Sequence, residues 1–510
     1  GSSDQRAPRV GEVRIGTRVK SGKTAVVIGA GFGGLAAAIR LSHKGYRVEV
    51  YDKLPAAGGR ASVFRQDGHT FDAGPTIITA PFLLRELWEL CGQRFEDAVT
   101  LIPMDPFYRI RFDDGSHFDY NGDPAHMRAE VARFAPEDLD GYERFLILCE
   151  KCKRLGFEGM GDKPFDSLGD LLSAIPDFMR MGAWRSIYAQ VARHFRNEHL
   201  RTVMSFHPLL IGGNPFSVTA AYALINALER TWGVHSAMGG TGAIVAGLVR
   251  LLELQGVALH LNAPVQRILV QNGHACGVEL GDGRTVKADI VVSNGDTAWT
   301  YKHLVDARYR KHWTDRRIER GRYSMGLLVW YFGTRKRFES VPHHMLVLGP
   351  RYKGLLQDIF KRHVLADDFS LYLHRPTATD PSLAPPSCDT FYALAPVPHL
   401  DSGTDWRERA EPMRQAIEQR LSDTVLPGLK AEVTTSMMMT PQDFHDRLWS
   451  YKGAGFGLEP LLLQSAWFRP HNRSEDLPGL YMVGAGTHPG AGVPGVLMSA
   501  KALEQVVPDA

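Results

Sequence analysis

Apolar and polar positions alternate in a regular way near the start of the chain. Thr24–Ile28 is almost wholly apolar, which is typical of a strand buried on both faces. Residues 35–43 then repeat apolar side chains at helical spacing, and Gly45 marks the end of that helix. Residues 47–52 predict a second strand. The pattern therefore predicts a strand–helix–strand unit with parallel strands.

The same pattern divides the remainder of the chain into four regions. Residues 80–235 carry helical patterns interrupted by prolines, and strand-like alternation returns in four runs: 257–261, 265–270, 276–280 and 286–293. Residues 300–470 mix both patterns, and the apolar run 325–332 predicts a buried strand. The tail returns to a strand, a glycine-rich turn and a helix. Together these patterns predict an α/β protein of more than one domain.

Glycines occupy the turn between the first strand and its helix. Gly29, Gly31 and Gly34, with Gly33 between them, match the GxGxxG spacing, and Asp52 ends the following strand. Such glycines allow the backbone to approach a pyrophosphate at the helix N-terminus, while an acid in this position accepts hydrogen bonds from a ribose. The arrangement predicts a dinucleotide site.

The composition of the chain disfavours a nucleic-acid-binding protein, a disulfide-rich protein and a cysteine-bound metal site. The chain has 510 residues, 23% of them charged, and a net charge of +3, which does not favour a nucleic-acid partner. Five cysteines are too few and too scattered for a disulfide framework. Cys149 and Cys152 have CxxC spacing but lie in a helical pattern without a second ligand pair, so no metal is predicted.

Several motifs resemble those of the FAD-dependent amine oxidase superfamily. They are Gly58-Gly59-Arg60 after the second strand, FDAGPT at 71–76, GGTG at 239–242, NAPVQRI at 262–268, and the turn Gly484-Ala485-Gly486. The resemblance implies FAD as the cofactor. It implies that Arg60 contacts the phosphates of FAD and that the backbone of Val265 pairs with the adenine. It also implies that Gly59 and Gly486 let the backbone run close to the cofactor.

The tail gives a narrower resemblance. AGTHPGAGVPGVLMSAK, from residue 485, is similar to the C-terminal signature of bacterial-type carotenoid desaturases, the phytoene desaturase family, and similar stretches run from about residue 24 to 505. This resemblance implies stepwise dehydrogenation of phytoene to neurosporene or lycopene, by hydride transfer to the flavin. Pro494, Gly495 and Val496 would begin a helix whose N-terminus points at the flavin ring.

Two residues are candidates for a protein base. Asp170 could face the substrate channel, although Ser167 three residues earlier makes it equally suited to a helix-capping box. His488 lies in the tail loop, where it could sit near the flavin ring or simply order the turn.

The resemblance also implies a discontinuous architecture. We expect a Rossmann-like FAD-binding domain from residues 23–90, 236–300 and 470–510, and a mixed α+β substrate domain from 91–140 and 301–469. Residues 141–235 would form a helical, membrane-associating subdomain. Residues 1–22, which open with Gly-Ser-Ser and no methionine, would be a loose tail carrying a cloning remnant.

A carotenoid substrate dissolves in lipid, so we expect the protein to bind the cytoplasmic side of a membrane peripherally. No stretch approaches the ~20 apolar residues of a spanning helix. In residues 176–199, five side chains recur at helical spacing beside arginines, the pattern of a helix that lies on a bilayer. They are Met181, Trp184, Tyr188, Val191 and Phe195.

Other functions fit the same motifs. The chain could desaturate a later carotenoid such as hydroxyneurosporene, or it could be a non-catalytic escort that binds isoprenoids on the same fold. No second dinucleotide motif is evident, which favours oxygen or a quinone over NAD as the electron acceptor.

Overall fold

A computed structural model describes residues 22–510, so the tail predicted at residues 1–22 lies outside the described residues except for Gly22. Its strands, in chain order, are β1 Thr24–Ile28, β2 Arg47–Tyr51, β3 Val63–Gln66, β4 His69–Asp72, β5 Leu101–Pro103, β6 Tyr108–Arg111, β7 His117–Tyr120, β8 His235–Ala237, β9 Ala258–His260, β10 Val265–Gln271, β11 His274–Leu280, β12 Thr285–Lys287, β13 Ile290–Ser293, β14 Gly326–Thr334, β15 His344–Val347, β16 Leu371–His374, β17 Asp389–Val397, β18 Val433–Met439 and β19 Leu480–Met482.

The helices surround these strands. In chain order they are α1 Phe32–Lys44, α2 Phe82–Leu90, α3 Phe95–Ala98, α4 Pro124–Phe134, α5 Leu139–Cys152, α6 Leu168–Met181, α7 Ile187–Ala192, α8 Glu198–Ser205, α9 Leu224–Trp232, α10 Thr241–Leu254, α11 Thr297–Trp299, α12 Asp315–Arg320, α13 Tyr352–Gln357, α14 Trp406–Asp423, α15 Leu429–Glu432, α16 Pro441–Leu448 and α17 Val493–Val506.

Strands from the head, the middle and the tail of the chain form one parallel sheet. Its order is β19-β13-β1-β2-β9, and Val26 lies opposite Val291 while Val291 lies opposite Leu480. Helix α1 packs against α10 and α17, so that both ends of the chain share one apolar core. The sheet confirms the predicted α/β class.

A second, seven-stranded sheet has the order β18-β14-β17-β16-β15-β6-β7 and is antiparallel except where β15 runs beside β6. Every residue of β14 is buried, as the apolar run at 325–332 predicts. The single strand predicted over 286–293 is wrong. Its two halves belong to different sheets, because Asp289 turns away to accept a hydrogen bond from the Thr24 N–H at 2.8 Å.

The long amphipathic helix predicted within residues 176–199 is also wrong. Helix α6 ends at Met181, because Gly182 takes a left-handed conformation with φ of 67°, and the chain restarts as the separate helix α7. Met181, Val191 and Phe195 are fully buried in the core of the helical region. Their spacing therefore reflects burial against neighbouring helices.

Candidate cofactor and substrate site

The first glycine turn is braced by the acid at the end of the next strand. Gly29 has a φ of 96°, and the Ala30 N–H donates to Asp52 Oδ2 at 2.6 Å. The other carboxylate oxygen of Asp52 accepts from the Leu54 N–H at 2.8 Å. Burial raises the pKa of this carboxyl above its ordinary value. Asp52 therefore fixes the segments that follow β1 and β2 relative to each other.

The glycines of this turn have different roles. Gly29, Gly31 and Gly33 line the cavity beside the turn, whereas Gly34 lies outside it. A Cβ on Gly34 would overlap the carbonyl oxygen of Gly29, so this position lets α1 pack directly on the end of β1. The glycines thus supply both close approach and close packing.

The second glycine turn lies against the first. The Gly58 N–H donates to the Ala30 carbonyl at 2.9 Å, and Gly59 lines the same cavity. Arg60 donates from Nη2 to Ser450 Oγ at 2.9 Å, while its Nε has no hydrogen-bond partner within residues 22–510. An unpaired guanidinium N–H beside two glycine turns is suited to a phosphate oxygen.

The tail completes the cavity from a third direction. Pro494, Gly495 and Val496 line it from the first turn of α17, which begins at Val493, one residue earlier than predicted. Val265 lines it from the start of β10. Gly486 does not line it, because this residue packs against Thr297, which leaves no room for a Cβ.

Asn294 is a residue of this site that the sequence motifs do not indicate. It follows β13, lines the cavity, and stands where Cβ atoms on Gly33 and Gly484 would overlap its side-chain oxygen. Asn294 therefore fits between the head turn and the tail turn. The only sequence signal is an Asn-Gly pair directly after a buried strand.

The FDAGPT and GGTG motifs meet through one buried acid. Asp72 Oδ2 accepts from the Thr241 N–H at 3.0 Å, at the start of α10. Burial raises the pKa of Asp72 to about 6. This contact ties the segment after β4 to the helix N-terminus, and it places Pro75 and Thr76 in the cavity wall.

Beyond the glycine turns the same cavity becomes predominantly apolar. Leucine and isoleucine side chains from the helical region, from α13 and the turn after it, and from the seven-stranded sheet line it: Leu209, Leu210, Ile225, Leu228, Leu346, Leu355, Ile359, Leu371 and Leu394. The polar side chains here bond one another, as when Thr76 Oγ1 meets the Tyr392 hydroxyl at 2.7 Å. A cavity of this kind accepts a long apolar molecule.

The two candidate bases lie outside the lining of this cavity. Asp170 forms a capping box at the start of α6, where its N–H donates to Ser167 Oγ at 3.1 Å and its Oδ2 accepts from the Ser167 N–H at 3.3 Å. His488 bonds the Met160 carbonyl at 2.6 Å through Nε2, and burial lowers its pKa to about 4. An uncharged ring held in this way orders the tail loop.

The chain is similar to proteins of one enzyme class. Residues 32–502 match the family model described as flavin containing amine oxidoreductase. An oxidoreductase from Methanosarcina mazei aligns with a TM-score of 0.64 at 19% identity, covering 94% of this chain and all of that one. A putrescine oxidase bound to putrescine aligns with a TM-score of 0.63 at 15% identity, covering 95% and 98%. The fold and the family model define a flavin-dependent oxidoreductase.

Curated relatives then narrow the family. A neurosporene-forming phytoene desaturase of Cereibacter sphaeroides is 50% identical over 491 residues, 95% of each chain. A lycopene-forming phytoene desaturase of Pseudescherichia vulneris is 47% identical and covers 95% of this chain and 99% of its own. This chain therefore belongs to the flavin-containing amine oxidoreductases and, within them, to the phytoene desaturase family. The predicted family, oxidoreductase class and flavin cofactor are confirmed.

The residues present fit FAD. Glycines keep the cavity open where its pyrophosphate would lie, and the unpaired Nε of Arg60 is available to a phosphate. The first turn of α17 lines the same cavity, where the positive end of the helix dipole would stabilise negative charge on a bound flavin. Asp52 is available to the ribose at the end of β2.

Asp52→Asn is expected to raise the FAD dissociation constant by about tenfold or more. The N–H groups of Ala30 and Leu54 each donate to one carboxylate oxygen of Asp52, and an asparagine would place its own N–H₂ donor against one of them. Quenching of flavin fluorescence on titration of flavin-free protein measures this constant. Asp67→Asn, on an exposed turn, is the matched control. Equal affinities in Asp52→Asn and the parent would contradict the role given to Asp52.

Proposed function

We propose that this chain removes hydrogen stepwise from phytoene to form neurosporene, lycopene or both. The observation that carries the proposal is one continuous cavity, which runs from the glycine turns of the cofactor sheet into an apolar channel against the second sheet. The names of the relatives at 47–50% identity support the same substrate.

Bound FAD supplies the hydride acceptor for such a reaction. The protein residues would hold the hydrocarbon in place, since leucines and isoleucines from several elements line the channel. They would also exclude water, because the Thr76 hydroxyl bonds those of Tyr372 and Tyr392 and so satisfies them within the protein. A hydrocarbon offers no polar group to bind, so shape and apolar contact position it.

Incubation of the FAD-loaded protein with phytoene in liposomes, followed by chromatography of the products, tests this proposal. We expect carotenes with extended conjugation. Turnover of a hydroxylated carotene but not of phytoene would favour the alternative substrate. Protein that binds isoprenoid but never retains flavin would favour an escort.

We also propose oxygen or a quinone as the electron acceptor. The support is that one dinucleotide motif is evident in the sequence and its residues line the cofactor end of the cavity. Anaerobic assays with a quinone, with oxygen readmitted, or with NAD separate the acceptors. Product that forms only with NAD would overturn this proposal.

We propose that the protein binds peripherally at the cytoplasmic side of a membrane, and the exposed apolar side chains of helix α6 support the membrane contact. Four apolar side chains at spacings of 4, 3 and 4 residues form one exposed face of it: Leu168, Leu172, Ile175 and Met179, exposed by 60, 59, 45 and 59%. Trp184, 53% exposed, follows the helix, and the Arg185 guanidinium lies over its ring. None of the helices that the structure describes is long and apolar enough to span a bilayer.

We infer that this face, called the α6 face from here on, enters the bilayer surface. Large exposed apolar patches bordered by arginine and tryptophan are typical of interfacial binding. Helix α6 also contacts the segment at 220–223, in which Tyr222 lines the cavity. An apolar substrate would then pass from lipid into the channel over a short path.

The double variant Leu172→Asp/Met179→Asp is expected to float with liposomes of phosphatidylcholine and phosphatidylglycerol at least about tenfold less than the parent, since each buried side chain of this size contributes about 1.5–3 kcal/mol. The control Leu254→Asp/Val364→Asp carries the same charges at apolar residues that are 46% and 53% exposed on other elements. Equal flotation of the two double variants would exclude the α6 face as the anchor.

A further inference from the structure

Three histidines meet in the interior behind the part of the cavity wall that Tyr372 and Tyr392 form. His344 begins β15 and lies opposite His374, the last residue of β16, while His343 directly precedes the strand. Their exposed fractions are 5% for His343, 0% for His344 and 2% for His374. One ring nitrogen from each lies within 4.8 Å of the others. We call this group the histidine cluster.

The outer nitrogens of two rings are held by neighbouring hydroxyls. Nδ1 of His343 bonds Thr379 Oγ1 at 2.6 Å, and Nδ1 of His344 bonds the hydroxyl of Tyr372. These bonds fix the orientation of each ring and leave its Nε2 directed elsewhere. A metal-binding histidine almost always bonds a neighbouring group through its other ring nitrogen, as these two do.

The inner nitrogens are unsatisfied. Nε2 of His343, Nε2 of His344 and both ring nitrogens of His374 are buried without a hydrogen-bond partner in the described part of the chain. Buried polar atoms are almost always paired, because an unpaired one loses its hydration without compensation. Four such nitrogens in one place indicate that something binds between the rings.

Burial and the surrounding charges indicate which kind of ligand fits between the rings. All three rings are buried, where the neutral imidazole is favoured over the charged form, and a neutral imidazole offers a lone pair to a metal ion. The nearby Arg375 cation is offset by Asp389 at 2.9 Å and Glu339 at 3.6 Å. Neutral imidazoles with no carboxylate among them suit a borderline or soft cation and disfavour Mg²⁺ or Ca²⁺.

We propose that His343, His344 and His374 bind one divalent transition-metal ion, with Zn²⁺ the expected occupant. The ring centroids are 4.4, 4.9 and 5.6 Å apart, which allows three imidazoles to converge on one point. Binding would draw the nitrogens together to about 3.4 Å, as tetrahedral Zn–N bonds of ~2.0–2.1 Å require. Water would complete the coordination.

The ion would brace the wall of the channel. It would join β15 and β16. Because the Tyr372 hydroxyl bonds Nδ1 of His344, the ion would also fix the side chain of Tyr372, which lines the cavity. Tyr392 packs against His374 with ring centroids 4.6 Å apart and also lines the cavity. The site would therefore be structural, and it would shape the part of the cavity wall that Tyr372 and Tyr392 form.

Zinc content of the FAD-loaded chain, free of any affinity tag, tests the proposal directly. The protein is stripped with a chelator, exposed to ZnCl₂, exchanged into metal-free buffer and measured by plasma mass spectrometry. We expect about one zinc per chain and a higher melting temperature than in the stripped sample. Less than about a tenth of an ion per chain would overturn the site and leave the cluster to ordered water.

Three variants localise the binding. His374→Gln is expected to weaken zinc binding by more than about 100-fold, and Thr379→Val by about 10–100-fold through loss of the bond that orients His343. His69→Gln replaces a buried histidine outside the cluster, bonded to Thr390 at 2.8 Å, and should bind zinc like the parent. If His374→Gln fails to retain flavin, Thr379→Val decides the result. Binding by Thr379→Val equal to that of the parent, or equal loss in His69→Gln, would refute the proposal.

Discussion

A chain carrying Gly34→Ala is expected to purify without FAD and to unfold at a temperature several degrees below the parent. The added Cβ would overlap the carbonyl oxygen of Gly29 and stand 2.9 Å from its carbonyl carbon, closer than real Cβ contacts allow. Both atoms belong to the backbone, so relief requires α1 to move away from β1. Overpacking of this kind costs about 1–3 kcal/mol or more, and it displaces the turn that approaches the pyrophosphate.

Flavin absorbance of the purified protein and a thermal unfolding curve measure the two effects. Gly169→Ala is the matched control, because a Cβ there meets only Ser167 Oγ at 3.7 Å and the residue lies within the first turn of α6. Alanine in a helix is favoured over glycine by about 1 kcal/mol, so this control should be at least as stable as the parent. Normal flavin content in Gly34→Ala would contradict the packing role.

Leu394→Arg is expected to lower the rate of phytoene conversion by about 100-fold or more while FAD remains bound. Leu394 lies on β17 of the second sheet and lines the apolar part of the cavity, where its side chain is half-buried. A guanidinium there would keep water in the channel and occupy the volume of the hydrocarbon, and a hydrocarbon cannot compensate for its desolvation. The glycine turns belong to a different sheet.

Product formation and flavin absorbance, measured on the same preparation, separate this effect from unfolding. Leu394→Met conserves volume and polarity and should retain most of the activity. A rate within about threefold of the parent in Leu394→Arg would show that the substrate occupies another part of the cavity.

Local patterns were sufficient for the cofactor end of the molecule. The buried run at 24–28, the glycine spacing and the acid at Asp52 each depend on neighbours close in sequence, and the structure forms β1, α1 and β2 at those residues. All but the first residue of the apolar run at 325–332 likewise lies within β14, because a strand with no polar face must be covered on both sides.

Periodicity alone was insufficient for the helical region. Met181, Val191 and Phe195 recur at helical spacing because they pack into a core, whereas the exposed apolar face lies earlier, on α6. A hydrophobic pattern shows that a face must be covered, but it does not show whether protein or lipid covers it. That distinction depends on which helices are neighbours.

The sequence by itself determined the strand–helix–strand unit, because its residues interact with neighbours close in sequence. It also determined the flavin cofactor and the desaturase family, because these rest on motifs that the chain shares with its relatives. The tertiary structure alone decided three further points. It placed Asn294 between the head and tail turns, brought His343 and His344 together with His374, and exposed the α6 face. Each of these depends on contacts between segments far apart in the chain, which no local pattern encodes.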